Sequence, residues 1–149
     1  MDKITDIIAI GTDHAGYKMK EYLKENLNQD GFIFKDYGTF SEEPVDYPDV
    51  IHPLAKDINE GKYKRGVIIC GSGNGVAITA NKYNNVRAAI CWEEELAKLA
   101  RLHNNANIIV LPARFISFKE ALLFVKIFFS TGFEGGRHQR RVEKIAVKF

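Results

Sequence analysis

A thiol stands at the mouth of a glycine-rich turn in the run Cys70-Gly71-Ser72-Gly73-Asn74-Gly75. Gly71, Gly73 and Gly75 carry no side chains to hold backbone N–H groups away from an anion, and a helix expected from near Val76 would turn its amino end toward the same place. Such surroundings favour the thiolate, the form of cysteine that acts as a base or nucleophile. The other reading of Cys70 is a small buried hydrophobe at a strand end. Cys91 also ends a strand, but Trp92-Glu93-Glu94 follows it in place of glycines, and it is assigned to structure. The turn departs from nucleotide-binding fingerprints, since no Lys-Ser or Lys-Thr pair follows and the glycines do not run G-x-G-x-x-G.

Asp13 and His14 pair a carboxylate with an imidazole, which suits proton handling; a helix cap and its neighbour is the alternative. His103-Asn104 closes another helix, where a histidine gains from the negative helix end with or without a function. Arg137 and Arg141 fall one turn apart on a helix, a spacing that costs energy unless an anion lies between them. Two guanidinium forks suit a phosphate dianion, and a solvated basic helix is the plainer reading. Arg114 is a third candidate for the same charge. A metal held by Asp13, His14, His103 and Cys70 is conceivable, but no pair among them has recognised ligand spacing.

The elements that position these residues are short β-branched runs alternating with helical patterns, the signature of a parallel sheet covered on both faces. Five strands are predicted: Ile7 to Gly11, Phe32 to Tyr37, Gly66 to Cys70, Val86 to Ile90 and Asn107 to Leu111. In such sheets ligands bind beyond the carboxyl ends of the strands, where the Asp13 and Cys70 runs fall. Met19, Leu23 and Leu27 predict one helix and Leu96, Leu99 and Leu102 another. Ser117-Phe118-Lys119-Glu120 reads as a capping box opening a helix with Leu122, Val125 and Phe129 inward. A charged helix is predicted from near Arg137, with Val142 and Ile145 as its small apolar face. The stretch from Gly38 to Pro48 reads as one long irregular loop, a functional excursion or a surface one.

At 149 residues and 46% hydrophobic, the chain has material for one core, so a single domain over residues 1–149 is expected. A formal charge of +2 supplies no field that argues for nucleic acid or a membrane surface as partner. The apolar run Ile7 to Ile10 is too short for a secretion signal or a membrane span. Two cysteines without disulfide-framework spacing suit a reducing, cytoplasmic location.

Taken together, the motifs resemble those of the ribose-5-phosphate isomerase type B and galactose-6-phosphate isomerase group. The likeness rests on Gly11-Thr12-Asp13-His14-Ala15-Gly16, on Asp46-Tyr47-Pro48, on Ile69 through Gly75 with Ala80-Asn81-Lys82, on Arg101-Leu102-His103-Asn104, and on Glu134 through Val142. It implies a three-layer α/β/α, Rossmann-like domain with a five-stranded parallel sheet and a C-terminal helix. It further implies a homodimer or dimer of dimers whose sites are shared between subunits. The implied reaction interconverts D-ribose 5-phosphate and D-ribulose 5-phosphate with no metal or cofactor. By the same likeness Cys70 is the base, Ser72 holds the hydroxyl position beside it, and Gly71, Ser72, Gly73, Asn74 and Gly75 form an anion-binding loop. Asp13, His14, Tyr47, His103 and Asn104 line the sugar site, with His103 opening the ring and Asp13 assisting. Arg114, Arg137 and Arg141 lie near the phosphate. The chain departs from the group's pattern at Pro112-Ala113, just before Arg114. A six-carbon sugar phosphate such as allose or galactose 6-phosphate is the alternative substrate, and a non-catalytic sugar-phosphate-binding domain the alternative class.

Overall fold

The computed structural model describes residues 6–148. Five strands, β1 (Ile7–Thr12), β2 (Ile33–Asp36), β3 (Arg65–Cys70), β4 (Ala88–Ile90) and β5 (Ile108–Pro112), form one sheet in the order β2-β1-β3-β5-β4. Every pairing is parallel. The helices are α1 (Tyr17–Asn28), α2 (Tyr47–Asn59), α3 (Asn74–Ala80), α4 (Glu94–Leu102), α5 (Phe118–Phe129) and α6 (Arg137–Glu143). The five expected strands all form, each within two residues of its expected ends.

Alternation along the buried strands decides which helix meets which face. Ile8, Ile10, Val67, Ile69, Ile109 and Leu111 join α1, α4 and α5 in one core, while Ala9, Ile68, Cys70, Ile108 and Val110 join α2 and α3 in the other. This is the three-layer arrangement expected of strands buried on both sides. Cys70 shares the parity of Ile68, so its side chain turns toward α2 and α3.

Several local expectations are corrected. Tyr47 and Pro48 do not belong to the irregular stretch; they open α2, where a proline in the first turn loses no backbone bond. The helix expected from Val76 begins at Asn74, so Asn74 and Gly75 form its first turn. In α4 the residues turned inward are Ala97 and Ala100, not the leucines, because small side chains let α4 lie close against α5. Leu96, Leu99 and Leu102 are left half-buried. The capping box at Ser117 forms with both of its bonds, yet α5 buries Ala121, Phe124, Val125, Phe128 and Phe129 and leaves Leu122 only partly covered. Ile145 lies beyond α6 and is exposed.

One buried charge cluster anchors the start of the loop between β2 and α2. Lys20 is 0% exposed, and its Nζ donates to both carboxylate oxygens of Asp36 at 2.8 and 2.7 Å. Lys24 donates to the same carboxylate at 2.8 Å, and so does the Gly38 N–H at 2.8 Å. Thr12 and residues 38–39 exchange two backbone bonds, which lays the loop along the end of β1.

Candidate active site

The chain turns from one half of the sheet to the other between β1 and β3. This switch point is where open α/β sheets leave a crevice beyond the strand ends. β1 ends in Thr12 and delivers Asp13 and His14 there; β3 ends in Cys70 and delivers the glycine turn.

Cys70 is buried, and its Sγ accepts the Gly73 N–H at 3.2 Å. That bond aims a backbone donor at the sulfur. It requires Gly73 at φ +81°, a left-handed conformation that glycine adopts without strain. Ser72 is exposed, and its Oγ accepts the Asn74 N–H at 3.2 Å, which leaves the hydroxyl proton free to donate outward. The Ala113 and Arg114 N–H groups bond the Cys70 and Gly71 carbonyls at 2.9 and 3.0 Å, so Pro112-Ala113 extends the ladder and fixes Arg114 beside the turn. A Cβ on Gly71 would lie 3.2 Å from Arg114 Cδ and Nε, which shows how closely the guanidinium stem lies on that backbone. Tyr47 does the same from the other side, since a Cβ on Gly75 would come within 2.5 Å of its ring.

Asp13 is nearly buried and caps the single helical turn His14–Gly16, with Oδ1 accepting the Ala15 N–H at 3.0 Å. His14 Nδ1 accepts the Val45 N–H at 3.2 Å, which assigns the ring proton to Nε2 and ties the long loop to the site. An open cavity of about 550 Å³ lies here, lined by His14, Tyr37, Val45, Asp46 and Asp49 among others.

His103, Asn104, Arg137 and Arg141 are at the other end of the sheet. Gly66 pairs with Ile108 at the amino end of the β3–β5 ladder and Cys70 with Pro112 at its carboxyl end. Four steps at about 3.3 Å each separate those ends by about 13 Å. His103 caps the carboxyl end of α4, five residues before β5 begins, so it lies on the amino-end side. Its ring stacks on that of His138 with centroids 4.2 Å apart and planes 15° from parallel. Glu134 stands between the two, its oxygens 3.9 Å from each Nε2. Arg137 and Arg141 are exposed on α6 and, with Arg114, have no carboxylate within ion-pair distance among the described residues. Asn104 borders a separate open cavity of about 520 Å³ with Arg87 and the tail at Ile145 to Val147. The conceived metal set of Asp13, His14, Cys70 and His103 is therefore not assembled within one chain.

Sequence reasoning missed Glu134, His138 and Lys20. Glu134 precedes α6 and His138 lies in its first turn, in a segment already singled out for its arginines. Lys20 shares the spacing of Leu23 and Leu27, which marked it for the apolar face of α1.

The two cysteines sit in different surroundings, Cys70 under the Gly73 N–H and Cys91 beside the Ala89 carbonyl. Cys91 is fully buried, and burial pushes its thiol up to about 12. One equivalent of iodoacetamide at neutral pH is expected to label Cys70 and spare Cys91 in the folded protein, read by mass spectrometry of peptides. Equal labelling would show that Cys91 is reached by solvent.

Residues 8–145 match the Ribose/Galactose Isomerase family. The fold superimposes on a ribose 5-phosphate isomerase from Thermotoga maritima with a TM-score of 0.93 and 45% identity, over 96% of this chain and 99% of that one. A ribose-5-phosphate isomerase B from Mycoplasma genitalium, solved with bound ribulose-5-phosphate, aligns with a TM-score of 0.90 and 38% identity over 95% of each chain. A D-erythrulose-4-phosphate isomerase from Pectobacterium atrosepticum is 41% identical over 93% of this chain and 91% of that protein. With the family match spanning residues 8–145 and the relatives aligned over nearly the whole length, the chain belongs to the ribose/galactose isomerase family.

Proposed function

We propose that the chain interconverts D-ribose 5-phosphate and D-ribulose 5-phosphate, with Cys70 as the base. The observation that carries this is the buried thiol at the switch point, bonded by the Gly73 N–H, in a chain of this family. In the open aldose the Cys70 thiolate takes the C2 proton, and the electrons of that C–H bond form the C1–C2 double bond of an enediolate. The resulting thiol returns a proton to C1 while the hydroxyl proton passes from O2 to O1, so no redox partner or cofactor enters the balance. The Ser72 hydroxyl and the turn that carries it face the oxygens on which charge develops, while the Gly73 and Asn74 N–H groups hold Cys70 Sγ and Ser72 Oγ in place. Asp13, His14 and Tyr47 hold the sugar, and His103, with Asn104 beside it, handles the proton that opens the ring.

His103 and Cys70 cannot serve one sugar within one chain, since they lie at opposite ends of the sheet. A homodimer, alone or paired into a tetramer, brings His103, Asn104, Arg137 and Arg141 of one copy against Cys70 of the other. Exposed Ile78, Trp92 and Phe115, which follow the carboxyl ends of β3, β4 and β5, suit such a contact. No helix among the described residues is long and apolar enough to cross a membrane. Two free thiols fit a cytoplasmic setting.

A coupled assay with four-, five- and six-carbon aldose phosphates at matched concentration tests the reading. Turnover greatest with ribose 5-phosphate supports it; a higher kcat/KM for a four- or six-carbon sugar reassigns the substrate, and no turnover with any of them leaves a binding domain. Arg137→Ala and Arg141→Ala are each expected to weaken phosphorylated sugars by roughly 1.5–3 kcal/mol, the worth of a charge-assisted bond to phosphate. Unphosphorylated ribose should be nearly unaffected, and equal losses for both sugars would place the arginines in folding or the subunit contact.

A further inference from the structure

The group at the carboxyl end of α4 has a composition that ring opening does not use up. His138 is 6% exposed, and its Nε2 has no hydrogen-bond partner. A buried ring nitrogen without a partner is costly, and it is turned toward the two groups that share its surroundings, His103 and Glu134. One ligand atom from each of the three residues can be chosen so that all lie within 4.8 Å of one another. Among the described residues, this is the only such group of histidine, cysteine and carboxylate side chains.

We propose that His103, Glu134 and His138 form a binding site for one borderline divalent cation of the zinc class. Two imidazoles and a carboxylate are the donors such an ion prefers. Bond lengths of about 2.0–2.2 Å put ligand atoms about 3.3 Å apart, so the 3.9 Å separations must close by about 0.6 Å. The stacked rings must also tilt, because a ligated ion lies in the plane of each imidazole. His103, 37% exposed, and the exposed Glu134 have room to move, with buried His138 as the fixed point. Arg137 and Arg141 oppose a dication here and the Glu134 charge offsets one of them, so the site suits an ion with strong affinity for nitrogen and excludes magnesium or calcium.

The consequence rests on the function proposed above. A metal on His103 removes the ring-opening group, so zinc antagonises turnover although turnover needs no metal. Metal-stripped protein is titrated with Zn²⁺ against a chromophoric chelator, and with Co²⁺ followed by its visible absorption. The parent and Cys70→Ser are expected to bind one equivalent alike, while Glu134→Gln and His138→Gln each bind at least about tenfold more weakly. Glu134 is exposed, so its variant reports on the site whether or not His138→Gln folds. In the assay Zn²⁺ should inhibit the parent reversibly, and Glu134→Gln should raise the inhibiting concentration by a similar factor. Equal affinity in the parent and Glu134→Gln, loss of binding only in Cys70→Ser, or no bound zinc overturns the site; binding without inhibition overturns its role. Zinc held by these residues in a protein that turns over no aldose phosphate sustains the site and sinks only the isomerase reading.

Discussion

Cys70→Ala is expected to lower kcat for ribose 5-phosphate by about 10²–10⁴-fold, the usual contribution of a placed general base. Binding of a non-reacting sugar phosphate should change little. The thiol acts on the proton in flight and holds no charged part of the substrate, so the loss belongs to the barrier. The backbone should survive the change: Sγ accepts one N–H, from Gly73, and the turn keeps the Ala113 and Arg114 ladder bonds. Steady-state kinetics with a parallel binding measurement decides it. Activity above a few per cent of the parent would move the base elsewhere, with Asp13 the next carboxylate at the switch point. Cys91→Ala serves as the control, with activity retained.

Mixing two dead proteins should restore activity. His103→Asn and Cys70→Ala are each expected to be nearly inactive alone, because every site of a symmetric dimer then lacks one of its two groups. After subunit exchange, half of the dimers are mixed, and each holds one site with both groups intact and one with neither. About one quarter of the parent's specific activity is therefore expected. Were both groups supplied by one chain, the mixture would stay as inactive as its components. The experiment also separates the roles of the residues, since Arg137→Ala should complement Cys70→Ala in the same way but not His103→Asn.

The sequence made the sheet legible because its strands are continuous β-branched runs buried on both faces, with a helix pattern after most of them. It made the Cys70 turn legible because glycine spacing has few causes. It left α2 unread: the segment holds two prolines, residues that ordinarily interrupt helices, yet Pro48 sits in the first turn, and Pro53 is tolerated because Ile51, Leu54, Ala55 and Ile58 anchor the helix on the sheet. It misled about α4, where large apolar residues were taken for the inward face and alanines carry the close contact. Where the two halves of the site lie was beyond any local pattern. Asp13 beside His14, and His103 beside Asn104, look alike as neighbours in the chain; only the direction of each element says which end of the sheet they reach.

The Lys20–Asp36–Lys24 cluster sets a lower limit on the pH at which the site stays assembled. Burial alone would raise the Asp36 carboxyl, but hydrogen bonds from Lys20, Lys24 and the Gly38 N–H outweigh it and hold it below its ordinary 3.8. In the window between that lowered value and 3.8 the unfolded chain binds the proton that the folded chain refuses, so stability from this group is complete above the window and drains away as pH falls through it. Melting temperature should thus owe no pH dependence to Asp36 between neutrality and about pH 5, then decline more steeply than in an Asp36→Asn variant, already weakened by leaving buried Lys20 without its counter-charge. Because the same carboxylate also holds the Gly38 N–H, protonation frees the segment that carries Val45 to His14, and acid inactivation is expected to begin there, in advance of the sheet. Hydrogen exchange at Gly38 and Val45, followed against global melting in mild acid, would show the order.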